Sequence, residues 1–146
     1  MKKVVLASTL AAVLVLTATA AASTSPSAYR AQVDAMCTKG VAKIDAIPKP
    51  TTIAGLLPYF QKAVRASDHL LAQITAVTPP ASLKKAVANA LEIQGSFEAG
   101  LHDLIAKLKT SKNPKQTVLA AEPKLDSLNA RANRAWRAAG LVKCGS

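Results

Sequence analysis

A helical pattern begins in residues 27–47, which read SAYRAQVDAMCTKGVAKIDAI. Apolar side chains recur there at steps of three and four, at Tyr29, Val33, Met36, Cys37, Val41, Ile44 and Ile47. This spacing predicts an amphipathic helix with one apolar face. Ser27 is a competent cap for its start, and Pro48 and Pro50 end it, because proline disfavours a helical residue before it.

The same period recurs in three further segments, near residues 51–77, 80–110 and 114–139, and proline-bearing joints separate them. Pro58 lies inside the second pattern, where it either starts the regular helix or kinks it. Pro123 lies inside the fourth pattern and is expected to kink that helix. Short joints favour antiparallel neighbours, so the sequence predicts an all-α fold, an up-down-up-down four-helix bundle.

The start of the chain has the three parts of a secretory signal peptide. Residues 2–3 are lysines, residues 4–20 form a mostly apolar run, and small residues that suit a signal peptidase follow. The alternative is an N-terminal membrane anchor, but the run is short for a spanning helix, which needs ~20 apolar residues. We therefore expect residues 1–22 to be removed and residues 23–146 to form a single helical domain, secreted or held in the cell envelope. No later segment is long and apolar enough to span a membrane.

Two cysteines, Cys37 and Cys144, lie near the two ends of the part that follows this leader. In an exported chain such a pair most often forms a disulfide, and the alternatives are free thiols or an intermolecular bridge. In an antiparallel bundle the end of the fourth helix lies beside the start of the first. The tail after Gly140 could then bring Cys144 within the ~4.4–6.8 Å Cα separation that a disulfide needs.

Motifs for catalysis, metals and cofactors do not stand out. The two histidines, His69 and His102, are too few for a di-iron carboxylate site, although Glu98 and His102 could share one helix face. The Cys-x-x-Cys-His pattern of covalent haem is absent, and so is the Gly-x-Ser-x-Gly pattern of many hydrolases. We therefore predict a protein that is not an enzyme and holds no metal or cofactor.

Basic residues outnumber acidic ones, 19 to 8, and the chain has a net charge of +11. On the fourth helix Lys124, Arg131 and Arg134 fall within roughly 80° of one another at about 100° per residue, and Arg137 is next along. This face predicts contact with an anionic lipid surface or envelope polymer, and the alternative is a solvated face that keeps the protein soluble. Trp136, at its edge, is either a core residue or an interfacial anchor. Export argues against specific binding of nucleic acid.

A groove between helices is the second candidate surface. Pro58 and Pro123 would bend two helices, and Gly95 and Gly100 remove side-chain bulk from a third. Together they could open an apolar pocket, and the alternative is a filled, alanine-rich core. Two functional hypotheses follow. The first is a non-catalytic cationic binding or structural module of the bacterial envelope or exterior, and the second is a carrier of a small apolar ligand.

Three segments resemble a known group of proteins. They are YRAQVDAMC at residues 29–37, the Pro-Pro joint at residues 79–80 and AGLVKCG at residues 139–145. They are similar to small exported helical proteins of actinobacteria and their relatives, which have a cysteine in the first helix and a C-terminal Gly-Leu-x-x-Cys. Several of those proteins are lipoproteins, and they have no assigned function. The resemblance implies an all-helical fold with one disulfide and implies no functional residue. This chain differs in being basic and in lacking a lipidation cysteine.

Overall fold

The computed structural model describes residues 25–146, so the predicted signal peptide at residues 1–22 lies outside the described residues. The described part contains four α-helices and a short 3₁₀ turn that precedes the second of them. They are α1 (Pro26–Asp45), the 3₁₀ turn (Ile53–Gly55), α2 (Leu56–Thr75), α3 (Lys84–Thr110) and α4 (Pro114–Ala138). Residues 25–146 contain no strand, which confirms the prediction of an all-α fold with four helices.

The N-cap of the first helix lies two residues before the predicted one, at Ser25 and not at Ser27. Ser25 is the N-cap, and its hydroxyl accepts a hydrogen bond from the Ala28 N–H at 3.2 Å. Pro26 is the first helical residue, a position where the missing N–H of proline has no intrahelical partner to lose. Ser27 therefore lies inside α1, and the prediction that it caps the helix is wrong.

The two internal prolines have different positions in their helices. Pro58 is the third residue of α2, within the first turn, where backbone N–H groups have no intrahelical acceptor. It therefore lies at the start of the regular helix, as one of the two alternatives predicted. Pro123 lies inside α4, which continues on both sides of it. Its ring removes the hydrogen bond that the carbonyl of Leu119 would otherwise accept, and the kink expected there stays a prediction.

Consecutive helices contact each other, and the contact between α3 and α4 is the most extensive. Gly100 lies in that contact, because a Cβ atom built on it would come within 2.9 Å of Leu125 Cδ2. Gly95, five residues earlier, faces open space. Of the two glycines in α3, Gly100 thus permits the close approach of a neighbouring helix and Gly95 does not.

The hydrophobic core joins particular parts of the four helices. It takes residues from the part of α1 between Tyr29 and Cys37, the end of α2, the segment that begins α3, and the end of α4 with the tail. Its members are Tyr29, Val33, Cys37, Ile74, Leu83, Val87, Ala90, Ala135, Trp136, Ala139 and Leu141. None of the described helices is long and apolar enough to cross a membrane.

The end of α4 is a Schellman motif that directs the tail back to α1. Gly140 has a φ of 77°, its N–H donates to the Arg137 carbonyl at 2.9 Å, and the Leu141 N–H donates to the Trp136 carbonyl at 3.0 Å. Leu141 is fully buried in the core cluster that contains Trp136. The left-handed conformation at this position suits glycine, which has no Cβ to clash.

The tail is fixed to α1 by a covalent bond and by hydrogen bonds. Cys37 and Cys144 form a disulfide with a Cα–Cα distance of 5.0 Å, which confirms the predicted pairing. One residue earlier, the Lys143 N–H donates to Asp34 Oδ1 at 3.0 Å. The chain segment between the two cysteines, 107 positions in separation, is therefore closed into one covalent loop.

Candidate functional site

A cavity of about 160 Å³, partly open to solvent, lies between the helices beside the disulfide. All four helices and the tail contribute to its wall, and Cys37 and Cys144 are part of it. One portion of the wall is apolar, with residues such as Leu71 and Phe97, while Ser67, Gln94 and Asn133 give another portion amide and hydroxyl groups. Within residues 25–146, no Lys, Arg, His, Asp or Glu side chain lines it.

This cavity differs from the groove that the sequence predicted. A pocket between helices is present, but its wall is partly polar rather than apolar. The four residues expected to open it do not line it: Pro58, Pro123, Gly95 and Gly100. Gly100 instead allows the contact with Leu125 described above. The cavity is therefore not formed at the prolines that were expected to bend helices or at the glycines that lack side chains.

A chain of hydrogen bonds connects three helices behind the polar part of the wall. The indole Nε1–H of Trp136 on α4 donates to Gln94 Oε1 on α3 at 3.1 Å. Gln94 Nε2 donates to Oε1 of Glu98 at 2.8 Å, and Ser67 Oγ on α2 donates to the same oxygen at 2.7 Å. We call this set, Ser67, Glu98, Gln94 and Trp136, the polar relay. Because each bond fixes the next side chain, the relay orients both Ser67 and Gln94 at the cavity wall.

Glu98 is the acidic member of the polar relay and is only 5% exposed. Its Oε1 accepts two hydrogen bonds, whereas its Oε2 is buried and has no hydrogen-bond partner among the described residues. The two ion pairs found in residues 25–146 join His102 to Asp68 and Lys107 to Asp103, so neither involves Glu98. A buried carboxylate without a basic partner is costly, and it marks this position as unusual within the fold.

No hydrogen bond or ion pair joins Glu98 to His102 in the described chain, although their spacing suggested that they could share one helix face. The imidazole of His102 pairs with Asp68 on α2, its Nε2 lying 3.2 Å from Asp68 Oδ2. A signal for the relay was nevertheless present in the sequence. Gln94 and Glu98 stand three and seven positions after Leu91, within the apolar stripe of α3. Polar residues at stripe positions predict a buried polar contact.

The basic residues singled out on the fourth helix all lie at the surface. Lys124, Arg131, Arg134 and Arg137 are exposed on α4, and within residues 25–146 none of them forms an ion pair. We call these four residues the α4 basic face. Trp136 is not part of it, because its side chain is 2% exposed and its N–H is bonded to Gln94. This placement corrects the expectation that Trp136 contacts an anionic surface: of the two positions considered, it takes the one in the core.

Two features of the described chain thus remain as candidates, the cavity with its polar relay and the α4 basic face. Within residues 25–146, no group of three or more His, Cys, Asp or Glu residues is placed to hold a metal ion. No protein-family model matches this chain, and comparison with curated proteins and with solved structures finds no match to it either.

Proposed function

We propose that this protein is an exported, non-catalytic module that binds anionic lipid or polymer surfaces of the bacterial envelope through the α4 basic face. The observation that carries the proposal is that Lys124, Arg131, Arg134 and Arg137 are all exposed without an acidic partner in the described chain. Three of the four are arginines, whose planar guanidinium groups bind phosphate and carboxylate bidentately. A strongly basic net charge adds a long-range attraction to such surfaces.

The compartment that we propose lies outside the cytoplasm, secreted or in the cell envelope. The disulfide between Cys37 and Cys144 supports it, because disulfides persist in oxidising compartments and are rare in the cytosol. The leader-like residues 1–22 support the same route. The removal of residues 1–22 is part of this proposal, and so is the relationship to exported proteins of actinobacteria.

We further propose that the four helices run in antiparallel, up-down-up-down order. The composition of the core supports this order, since it combines the part of α1 between Tyr29 and Cys37, the end of α2, the start of α3 and the end of α4. In an antiparallel bundle those parts meet at one end. The basic face, which extends from Lys124 to Arg137, would then lie along the outside of one edge helix.

Sedimentation with lipid vesicles tests the surface-binding function. The protein should pellet with vesicles of phosphatidylglycerol and phosphatidylcholine, remain in solution with phosphatidylcholine alone, and be released by added salt, because salt screens exposed charges. The variant K124E/R131E/R134E/R137E should lose this retention. The matched control is K39E/K62E/K84E/K85E, which makes the same change in net charge at exposed residues of α1, α2 and α3.

The control decides between a specific face and a general charge effect. If both variants lose retention equally, net charge alone explains the binding and the α4 basic face is not the site. If neither variant loses it, the proposal is wrong altogether. Repeating the assay with isolated cell-wall material in place of vesicles distinguishes an anionic polymer from a lipid headgroup as the natural surface.

The cavity supports a second candidate function, the carriage of a small ligand between the helices. Pockets that hold ligands are commonly lined by apolar side chains with a few polar groups, which describes this wall. Native mass spectrometry of the secreted protein is the direct test. A bound small molecule that is lost on unfolding would support a carrier, and a chain of bare mass that takes up no added ligand would oppose it.

A further inference from the structure

We propose that the cavity binds a small organic ammonium ion, with Glu98 providing the opposite charge. This inference rests on the second proposed function and names its ligand class. It replaces the purely apolar ligand expected from the sequence by one with a cationic head and a short hydrocarbon group. Three features of the molecule support it: the charge of the polar relay, the polarity of the atoms that the relay presents to the cavity, and the apolar portion of the wall.

The first feature is the absence of a basic partner for Glu98 among the described residues. A carboxylate has about four acceptor positions on its two oxygens. Glu98 uses Oε1 for two hydrogen bonds, while Oε2 is buried without a partner among the described residues. The ion pairs of residues 25–146 leave Glu98 without a cation. A positive charge held in the adjacent cavity would offset part of the cost of this buried carboxylate, because opposite charges attract more strongly beside the protein interior than in bulk water.

The second feature is the hydrogen-bond polarity of the Ser67 hydroxyl at the cavity wall. The hydroxyl hydrogen of Ser67 is committed to Glu98, so the atom that Ser67 can offer to the cavity is an oxygen with free lone pairs. The amide of Gln94 is oriented at both ends, its oxygen by Trp136 and its nitrogen by Glu98. The Ser67 hydroxyl therefore suits a ligand that donates hydrogen bonds, as an ammonium group does. An anion would meet both this lone pair and the charge of Glu98 behind it.

The third feature is the apolar portion of the wall, which would contact the hydrocarbon group of the ligand. Leu70, Leu71, Ile74 and Phe97 line the same cavity and would bury a hydrocarbon group. A cavity of about 160 Å³ is below the ~300–1,000 Å³ of pockets that hold drug-sized ligands. The ligand is therefore small, with a short alkyl chain or a single ring. Benzylammonium has this shape and charge, and benzyl alcohol and benzoate are matched neutral and anionic compounds.

Titration with these three compounds tests the inference, with Trp136 as the probe. It is the only tryptophan of the chain and lines the cavity, so ligand entry should change its emission. We expect benzylammonium to bind most tightly and benzoate least tightly. The general field of a chain with 19 basic and 8 acidic residues would give the opposite order, so this order reports the local charge.

Substitution of Glu98 tests the role of its charge. E98Q should weaken benzylammonium binding about tenfold, because it removes the opposite charge that lies behind the Ser67 hydroxyl, and should leave benzyl alcohol binding unchanged. The matched control is E92Q, which removes the same charge from an exposed position of α3 and should change neither affinity. S67A, which removes the oxygen offered to the ligand, should also weaken benzylammonium binding selectively.

Each outcome bears on one claim. If all three compounds bind equally, or if E92Q and E98Q have equal effects, the cavity is a carrier site but the inference of an ammonium ligand is overturned. If none of the three binds, the carrier function fails together with the inference. If E98Q does not fold, the order of the three affinities in the native protein and the effect of S67A still support or overturn the inference.

Discussion

Arg30 on α1 donates a hydrogen bond from Nε to the carbonyl oxygen of Ala139, the residue that follows α4, over 3.2 Å. The two residues are 109 positions apart in the chain, and the contact lies next to the turn at Gly140. A cation at a helix C-terminus is favourable because the last carbonyl groups carry partial negative charge. Arg30, on α1, thus acts as a hydrogen-bond donor to a carbonyl group at the C-terminus of α4.

Replacing Arg30 by alanine should destabilise the fold. Arg30→Ala removes a charge-assisted hydrogen bond and a favourable interaction with the α4 terminus, so we expect the free energy of unfolding to fall by about 1 kcal/mol. Arg65→Ala is the control, since Arg65 is exposed on α2. Urea denaturation followed by Trp136 fluorescence measures both. Equal effects of the two substitutions would show that the contact with Ala139 contributes nothing.

Two glycine-to-alanine substitutions should have opposite effects on stability. Gly140→Ala forces a side chain into a left-handed conformation, at ~1–2 kcal/mol, and a Cβ there would lie 2.5 Å from Arg30 Nε. Gly95→Ala places a methyl group in open space inside a helix and should raise the free energy of unfolding by up to ~1 kcal/mol. Thermal unfolding by circular dichroism measures both shifts. A stabilised Gly140→Ala protein would contradict the assigned turn.

The number of helices and the disulfide could be predicted because both depend on strong patterns. Apolar residues at steps of three and four define helices locally, and the prolines between them define the joints. The exact first residue of each helix was harder to predict. The helix α3 begins at Lys84 rather than near residue 80, because the Leu83 N–H and the Lys84 N–H both bond to the Pro80 carbonyl in a preceding turn. Such a turn depends on backbone geometry that residue types only suggest.

The candidate site was much harder to predict. Ser67 and Glu98 are 31 positions apart, and Gln94 and Trp136 are 42 apart, so the polar relay depends on the register between helices. Helical periodicity places Gln94 and Glu98 on the buried face of α3 but does not indicate which residues of α2 and α4 lie opposite. The same limit applied to Trp136. Its position at the edge of the stripe allowed either burial or exposure, and the hydrogen bond to Gln94 accompanies burial.

Tyr29 should make the fold sensitive to alkaline pH. Its side chain is fully buried, its hydroxyl has no partner among the described residues, and burial raises the pKa of the phenol above its ordinary value of 10.0. Above pH 10.0 the unfolded chain loses this proton while the folded chain keeps it. Since the unfolded state then binds fewer protons, the free energy of unfolding falls as pH rises from 10.0 toward the raised pKa in the fold.

Tyr29→Phe should reduce this alkaline loss of stability. Below pH 10.0 the substitution should leave the free energy of unfolding unchanged or raise it by about 1 kcal/mol, because it removes a buried hydroxyl that lacks a partner. Tyr59→Phe, at a half-buried position on α2, is the matched control and should retain the loss. Urea denaturation on both sides of pH 10.0 tests this. A loss of equal size in wild type and Tyr29→Phe would contradict it.

Breaking the disulfide between Cys37 and Cys144 should have the largest effect of all. The bond closes a loop of 107 positions, and the chain-entropy estimate for a loop of ~100 residues is about 4.7 kcal/mol. Reduction should therefore lower the urea midpoint of the wild-type protein strongly. The variant C37A/C144A should start from a lower midpoint and should not respond to reductant, which separates loss of the bond from other effects of the reagent.

The disulfide also belongs to the cavity wall, which extends this prediction to binding. Arg30–Ala139 and Lys143–Asp34 still hold the tail near α1 after reduction, so a folded fraction should remain. In that fraction these hydrogen bonds and the buried Leu141 hold the tail without a covalent bond, and benzylammonium affinity should fall because the wall formed by Cys144 and Ser146 is less ordered. An unchanged midpoint in reductant would show that the loop closure does not stabilise the fold. Unchanged affinity with a lowered midpoint would show that the tail is not needed to form the cavity.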